Sequence, residues 1–108
     1  MNEKTDMIEK LVKRVAERSH ADPNQSWTAQ LLSGDSEKII RKFGEEALEL
    51  VMASQQKNQA QIIKESADVL YHLVVLWQKH GIAPEDVRSE LAKREALSGI
   101  SEKLSRPK

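Results

Sequence analysis

The chain has 108 residues, 17 basic and 17 acidic side chains, a formal net charge of zero and no cysteine. A chain without basic excess is not expected to bind nucleic acid in bulk, and without cysteine it forms neither disulfides nor thiolate metal sites. Only four Gly and three Pro interrupt residues that mostly favour helix. We therefore expect one all-α domain over residues 1–108, located in the cytoplasm, with no signal peptide and no apolar run of the roughly 20 residues that a membrane span needs.

Five helices are predicted from the apolar spacing of the sequence, over about 3–18, 27–33, 37–57, 60–80 and 84–97. Ser26 is placed to cap the start of the second helix, and Gly81 to end the fourth. Pro84 suits the first turn of the fifth helix. Residues 98–108 are predicted to form a surface tail, because they combine a Gly, a Pro and several charges.

The middle of the fourth helix, residues 67–77, is apolar on nearly every side. A helix of this kind must be covered on more than one face. In so small a protein this indicates a partner subunit, so we expect a homodimer or a higher homo-oligomer.

Two pairs of acids dominate the predicted third and fourth helices. Glu46 and Glu49 are three residues apart, as are Glu65 and Asp68, so each pair lies on one helix face. If the two helices form an antiparallel hairpin, the four carboxylates converge. Such a cluster needs a counter-charge, or some of its acids must stay protonated. Mg²⁺ with bound waters and a substrate phosphate fits oxygen ligands best, with Mn²⁺ as a substitute.

The alternative is an ordinary solvated helix face, which is common in a chain with 31% charged residues. Two features favour the metal site. Asp68 has low helix propensity and yet stands in the middle of a helix. Arg41 and Lys42 precede the acids, which is the less favourable order of charges along a helix.

Other polar residues have two readings each. Lys38, Arg41 and Lys42 lie one to two turns before the acids, and are either phosphate ligands or plain surface charges. His72 follows Asp68 by one turn, and is either a second-shell group that hydrogen-bonds a ligating carboxylate or a core histidine.

The segment Ser26-Trp27-Thr28 opens the second helix. It is either a capped helix start with an aromatic anchor, or a lid whose ring stacks on a base and whose hydroxyls donate to phosphate. The sequence by itself favours the first of these.

The acidic pattern resembles that of the all-α nucleoside triphosphate pyrophosphohydrolases of MazG-like fold, and within them the phosphoribosyl-ATP pyrophosphatase family in its stand-alone form. The residues that carry the resemblance are Ser26 to Leu32, Lys38 to Glu46, Glu49, Glu65, Ala67 to Leu73 and Ser98 to Lys103. The family commonly has Tyr where Trp27 stands. The resemblance covers about residues 26–103.

The resemblance implies a dimer-forming helical bundle of four to five helices around a central antiparallel pair. It also implies Mg²⁺-dependent hydrolysis of phosphoribosyl-ATP to phosphoribosyl-AMP and pyrophosphate. The family's metal ligands carry over onto Glu46, Glu49, Glu65 and Asp68. Glu45 or Glu46 would then accept the proton of the attacking water, and more than one ion is expected.

The same resemblance gives Lys38, Arg41 and Lys42 a role on the substrate phosphates, and the segment Ser26-Trp27-Thr28 a role in closing over the substrate. Two other functions stay open from the sequence. One is a house-cleaning pyrophosphatase for free or damaged nucleoside triphosphates, which shares the acids. The other is a helical dimerisation module with a vestigial acidic face, which would show no saturable stabilisation by Mg²⁺.

Overall fold

The structure is a computed structural model that describes residues 3–97, and this part of the chain contains five helices and no strand. The helices are α1 (Glu3–Arg18), α2 (Trp27–Ser33), α3 (Ser36–Gln55), α4 (Gln59–His80) and α5 (Pro84–Glu95). The predicted all-α class is confirmed. The predicted surface tail lies outside the described residues.

Side chains that cap helix ends fix most of these boundaries. Ser26 Oγ accepts a hydrogen bond from the Ala29 amide at 3.2 Å, and Asp35 Oδ1 accepts one from the Lys38 amide at 3.2 Å. Each bond satisfies a backbone donor that has no partner within the helix. At the C-terminal end of α4, Gly81 ends the helix with φ of 69°, a left-handed conformation that glycine adopts readily.

The turn between α3 and α4 follows Gln55, two residues before the approximate helix end at residue 57 that the sequence indicated. Lys57 has φ of 59°, which is left-handed backbone and lies outside the helix. Asn58 then caps α4 by accepting from the Gln61 amide at 3.1 Å. This short reversal sets α3 against α4, and these two helices pack together more extensively than any other pair.

The core lies where α1, α2, α3 and α4 meet. Its buried members are Val15, Leu31, Ile39, Val74 and Val75. The fifth helix contributes no buried residue. Leu91 on this helix is 58% exposed.

Two contacts attach α2 to α4. Near the start of α2, Thr28 Oγ1 and the Tyr71 hydroxyl form a hydrogen bond. At its end, Lys79 Nζ donates to the Leu32 carbonyl at 3.1 Å and to the Gly34 carbonyl at 2.8 Å. The lysine satisfies carbonyls that a helix C-terminus leaves without partners, and its charge suits that end of the helix dipole.

Replacing Tyr71 with Phe is expected to lower the free energy of unfolding by about 1–3 kcal/mol, because the buried Thr28 hydroxyl then loses its partner. Combining it with Thr28→Val removes both polar groups and should recover part of the loss. Urea unfolding of the two single variants and the double variant measures this coupling. Strictly additive losses would contradict it.

Candidate metal centre

Three of the four predicted acids meet between α3 and α4. Glu46 and Glu49 from α3 and Glu65 from α4 each place one carboxylate oxygen within 4.8 Å of the others. The spacing of three residues brings the first two together on one helix face, and the reversal at Asn58 returns the chain to the same level. The three carboxylates form a group of the size that holds one cation.

Glu65 is the buried member of this group, with 6% of its surface exposed. Its Oε1 accepts a hydrogen bond from Gln61 Nε2 at 2.7 Å. Its Oε2 is buried and has no hydrogen-bond partner within the described part of the chain. A buried carboxylate oxygen without a partner is unfavourable, so this atom points to a ligand that supplies positive charge.

Asp68 lies one turn along α4 from Glu65 and is half-buried, but it does not belong to the group of three. Its backbone carbonyl accepts a hydrogen bond from His72 Nδ1 at 2.9 Å. The convergence expected for four acids is thus seen for three. A ligand role for the Asp68 side chain stays a prediction.

His72 is buried, and the tautomer follows from its partner. The Asp68 carbonyl only accepts, so Nδ1 carries the proton and donates this hydrogen bond, and Nε2 is the other ring nitrogen. That Nε2 is buried without a partner among residues 3–97. The partner of Nδ1 is a backbone carbonyl, not the ligating carboxylate that the second-shell prediction proposed.

The acid and the basic residues expected to handle water and phosphate are exposed or half-buried on α3. Glu45 is exposed, and its carboxylate lies 3.3 Å from Lys42 Nζ. Arg41 is exposed. Lys38 Nζ lies 5.6 Å from the centre of the Trp27 ring, within the range of a cation–π contact.

The three residues of the predicted closing segment have different surroundings. Ser26 and Thr28 are buried, and their hydroxyls already have hydrogen-bond partners inside the protein. The Ser26 hydroxyl accepts from the Ala29 amide, and the Thr28 hydroxyl is bonded to the Tyr71 hydroxyl. The Trp27 ring is 47% exposed. Of the three side chains, only Trp27 is free to meet a ligand in this conformation.

A cleft of about 450 Å³ opens beside the acids, at the end of the hairpin formed by α3 and α4. It is lined by Glu49, Met52, Ala53, Gln56, Asn58, Gln61 and Glu65. The sequence reading missed the amides Gln56, Asn58 and Gln61. The spacing of four residues between Gln61 and Glu65 is the one signal that pointed to a contact.

No helix of residues 3–97 combines the length and the apolar character needed to cross a membrane.

Comparison with known proteins indicates the function of the group of three carboxylates. The family model described as phosphoribosyl-ATP pyrophosphohydrolase matches residues 8–95. A protein of Gluconobacter oxydans is 46% identical over 102 residues, which are 94% of this chain and 77% of that protein. One of Dechloromonas aromatica is 45% identical over 94% of each chain, and one of Paramagnetospirillum magneticum is 44% identical over 100% of this chain and 99% of its own.

Each of these relatives is named phosphoribosyl-ATP pyrophosphatase. The family match spans most of the chain and includes all four predicted metal ligands. With the helical fold and the acidic group between α3 and α4 in place, the chain belongs to the phosphoribosyl-ATP pyrophosphohydrolase family.

Proposed function

We propose that this chain hydrolyses phosphoribosyl-ATP to phosphoribosyl-AMP and pyrophosphate in a Mg²⁺-dependent reaction, the second step of histidine biosynthesis. The observation that carries the proposal is Glu65. It is a buried carboxylate with one oxygen free of any partner in residues 3–97, held beside Glu46 and Glu49, in a chain of this family.

The donor set fits Mg²⁺, with Mn²⁺ as a substitute. All three grouped side chains offer carboxylate oxygen. This type of ligand suits hard divalent cations better than it suits softer metals. Asp68 is proposed as a fourth ligand. When bound, the metal would lower the pKa of a coordinated water and neutralise charge on the pyrophosphate leaving group.

The chain's own residues then orient the substrate and move one proton. Glu45 is exposed beside the group, and we propose that it or Glu46 accepts the proton of the attacking water. In the present structure the Glu45 carboxylate pairs with Lys42. A phosphate that draws Lys42 away would free Glu45 for this role, while Arg41 and Lys38 add further positive charge for phosphate oxygens.

Pyrophosphate release from phosphoribosyl-ATP, measured against dATP and dCTP with Mg²⁺ present, tests the proposal directly. Clear preference for phosphoribosyl-ATP supports it. Faster turnover of the free nucleoside triphosphates would support the house-cleaning activity instead. A protein inactive on all three, with no saturable stabilisation by Mg²⁺, would contradict both enzyme assignments.

Trp27 is proposed to cover the substrate, because its half-exposed ring lies at the start of α2 with Lys38 beside it. Replacing Trp27 with Ala is expected to raise KM by about 5- to 150-fold, since base–aromatic stacking is worth about 1–3 kcal/mol. Trp27→Tyr keeps an aromatic face and should stay close to the parent. Steady-state kinetics on phosphoribosyl-ATP measure both, and an unchanged KM in Trp27→Ala would remove the stacking role.

A homodimer or higher homo-oligomer is also proposed, on the basis of apolar surface that the protomer leaves uncovered. On α3 these exposed side chains are Ile40, Leu48, Val51 and Met52, and on α4 they are Ile63 and Leu70. Ile40, Gly44 and Leu48 are four residues apart and so follow one face of α3. Contiguous apolar helix faces of this kind are typical of subunit interfaces.

For such a biosynthetic enzyme we propose a cytoplasmic location.

A further inference from the structure

We propose that Gln61 is a positioning residue that holds Glu65 ready for the cation. Its side-chain amide fixes one carboxylate oxygen and leaves the other available as a ligand. This inference rests on the proposed function, because it gives Gln61 a role at the same site. The acidic pattern of the sequence does not include Gln61 and gives it no role in metal binding.

The position of Gln61 is set by the start of α4. Its backbone amide donates to Asn58 Oδ1 at 3.1 Å, in the capping contact that begins the helix. Its side chain is half-buried and lines the same cleft as Glu65, one helical turn away. The residue is therefore anchored by its backbone while its side chain reaches the carboxylate.

The hydrogen bond also fixes which end of the amide faces Glu65. An ionised carboxylate only accepts, so the group that meets Oε1 at 2.7 Å is the NH₂ of Gln61, not its carbonyl. One oxygen of Glu65 is thus engaged, and the other, Oε2, is buried without a partner in the described residues. This division favours ligation of a cation through a single oxygen of Glu65.

A neutral donor suits this task better than a charged one. Lys or Arg at the same place would hold the carboxylate too, but its charge would repel a divalent cation a few ångströms away. The glutamine amide orients Glu65 and leaves the negative charge of the site intact. Groups that orient metal ligands in this way commonly set affinity, and their loss weakens metal binding by about 10- to 100-fold.

The plainer interpretation is a pair of neighbours on a helix that contributes only to helix stability. Such pairs normally lie on solvated faces. Here the acceptor is 6% exposed and belongs to the group of three carboxylates. The two interpretations differ in what they predict for metal affinity, which a helix-stabilising pair would leave unchanged.

The test uses the metal-free full chain titrated with Mn²⁺, with free ion followed by electron paramagnetic resonance. Gln61→Met keeps the length and helix preference of glutamine but has no donor, and its Kd for Mn²⁺ is expected to rise by about 10- to 100-fold. Gln61→Ala, which favours helix still more, is expected to change in the same direction. Gln59→Met is the matched control, an exposed glutamine in the same turn, and should bind as the parent does.

Circular dichroism and the melting temperature of each metal-free variant separate binding from folding. A Gln61→Met protein that is folded and binds Mn²⁺ as tightly as the parent would overturn the role of Gln61. If the parent binds Mn²⁺ and Glu65→Gln does not, an unchanged Kd in Gln61→Met removes the role of Gln61 alone and leaves the metal site standing. A parent that shows no saturable Mn²⁺ binding would overturn the metal site and the role of Gln61 together.

Discussion

Replacing Glu65 with Gln is expected to lower kcat/KM for phosphoribosyl-ATP by about 100-fold or more, with Mg²⁺ present. Loss of a group that merely orients a ligand costs about 10- to 100-fold in metal affinity or activity, so loss of the ligand's own charge should cost at least the upper end of that range. The substitution keeps the shape of the side chain, including its contact with Gln61. Steady-state kinetics over a range of Mg²⁺ concentrations measure the effect.

The same variant, although less active, should be more stable than the parent when no metal is bound. Glu65 is buried close to Glu46 and Glu49, so without metal its charge is repelled by theirs and poorly solvated. The neutral amide removes both costs, and the melting temperature of metal-free Glu65→Gln is expected to exceed that of the parent. Added Mg²⁺ should raise the melting temperature of the parent but not of the variant.

Glu17→Gln provides the control, since Glu17 is an exposed acid on α1. It should leave activity and metal-dependent stability unchanged. A Glu65→Gln protein with parental activity would exclude the metal-site hypothesis, whatever its melting temperature.

The second large effect is expected on α4, where Ile63 is 72% exposed and Leu70 is 41% exposed in the protomer. If these side chains form the proposed subunit interface, the double variant Ile63→Lys, Leu70→Lys should dissociate into monomers. Fully burying each apolar side chain is worth about 1.5–3 kcal/mol, so losing both should weaken the dimer by about 100-fold or more. Light scattering coupled to size-exclusion chromatography measures the mass.

A lysine at an exposed apolar position is harmless on a surface that stays in water. Leu91→Lys tests this, because Leu91 is 58% exposed on α5, a helix with no buried residue. It should leave both the mass and the melting temperature of the protein near those of the parent. If the α4 double variant behaves like Leu91→Lys, this face is not the interface.

Local signals explain why some elements were predicted to the residue. The helices α1 and α2 have the bounds that the sequence indicated, since apolar spacing and the Ser26 cap are both contained in short stretches of chain. The end of α3 was misplaced because the left-handed backbone falls on Lys57, and lysine gives no sign of that conformation. A glycine at the same position would have signalled it.

The site was predicted in part for a similar reason. The spacing of three and a short reversal are enough to bring Glu46, Glu49 and Glu65 together, whereas the place of Asp68 depends on how α3 and α4 rotate against each other. Gln61 was missed because a glutamine in the first turn of a helix is normally expected to be a solvent-exposed side chain without a specific role. The Thr28–Tyr71 bond joins residues 43 apart, and no local pattern predicts such a contact.

Attachment of α2 to α4 at both its ends limits how this protein could close over a substrate. The bond of Thr28 with Tyr71 near one end and the two bonds of Lys79 at the other hold both ends of α2 against α4, so we expect the two helices to move together. A hinge cannot then lie inside α2. Closure would instead fall to rotation of the Trp27 ring and to bending of the preceding loop, where Asn24 and its neighbours are exposed.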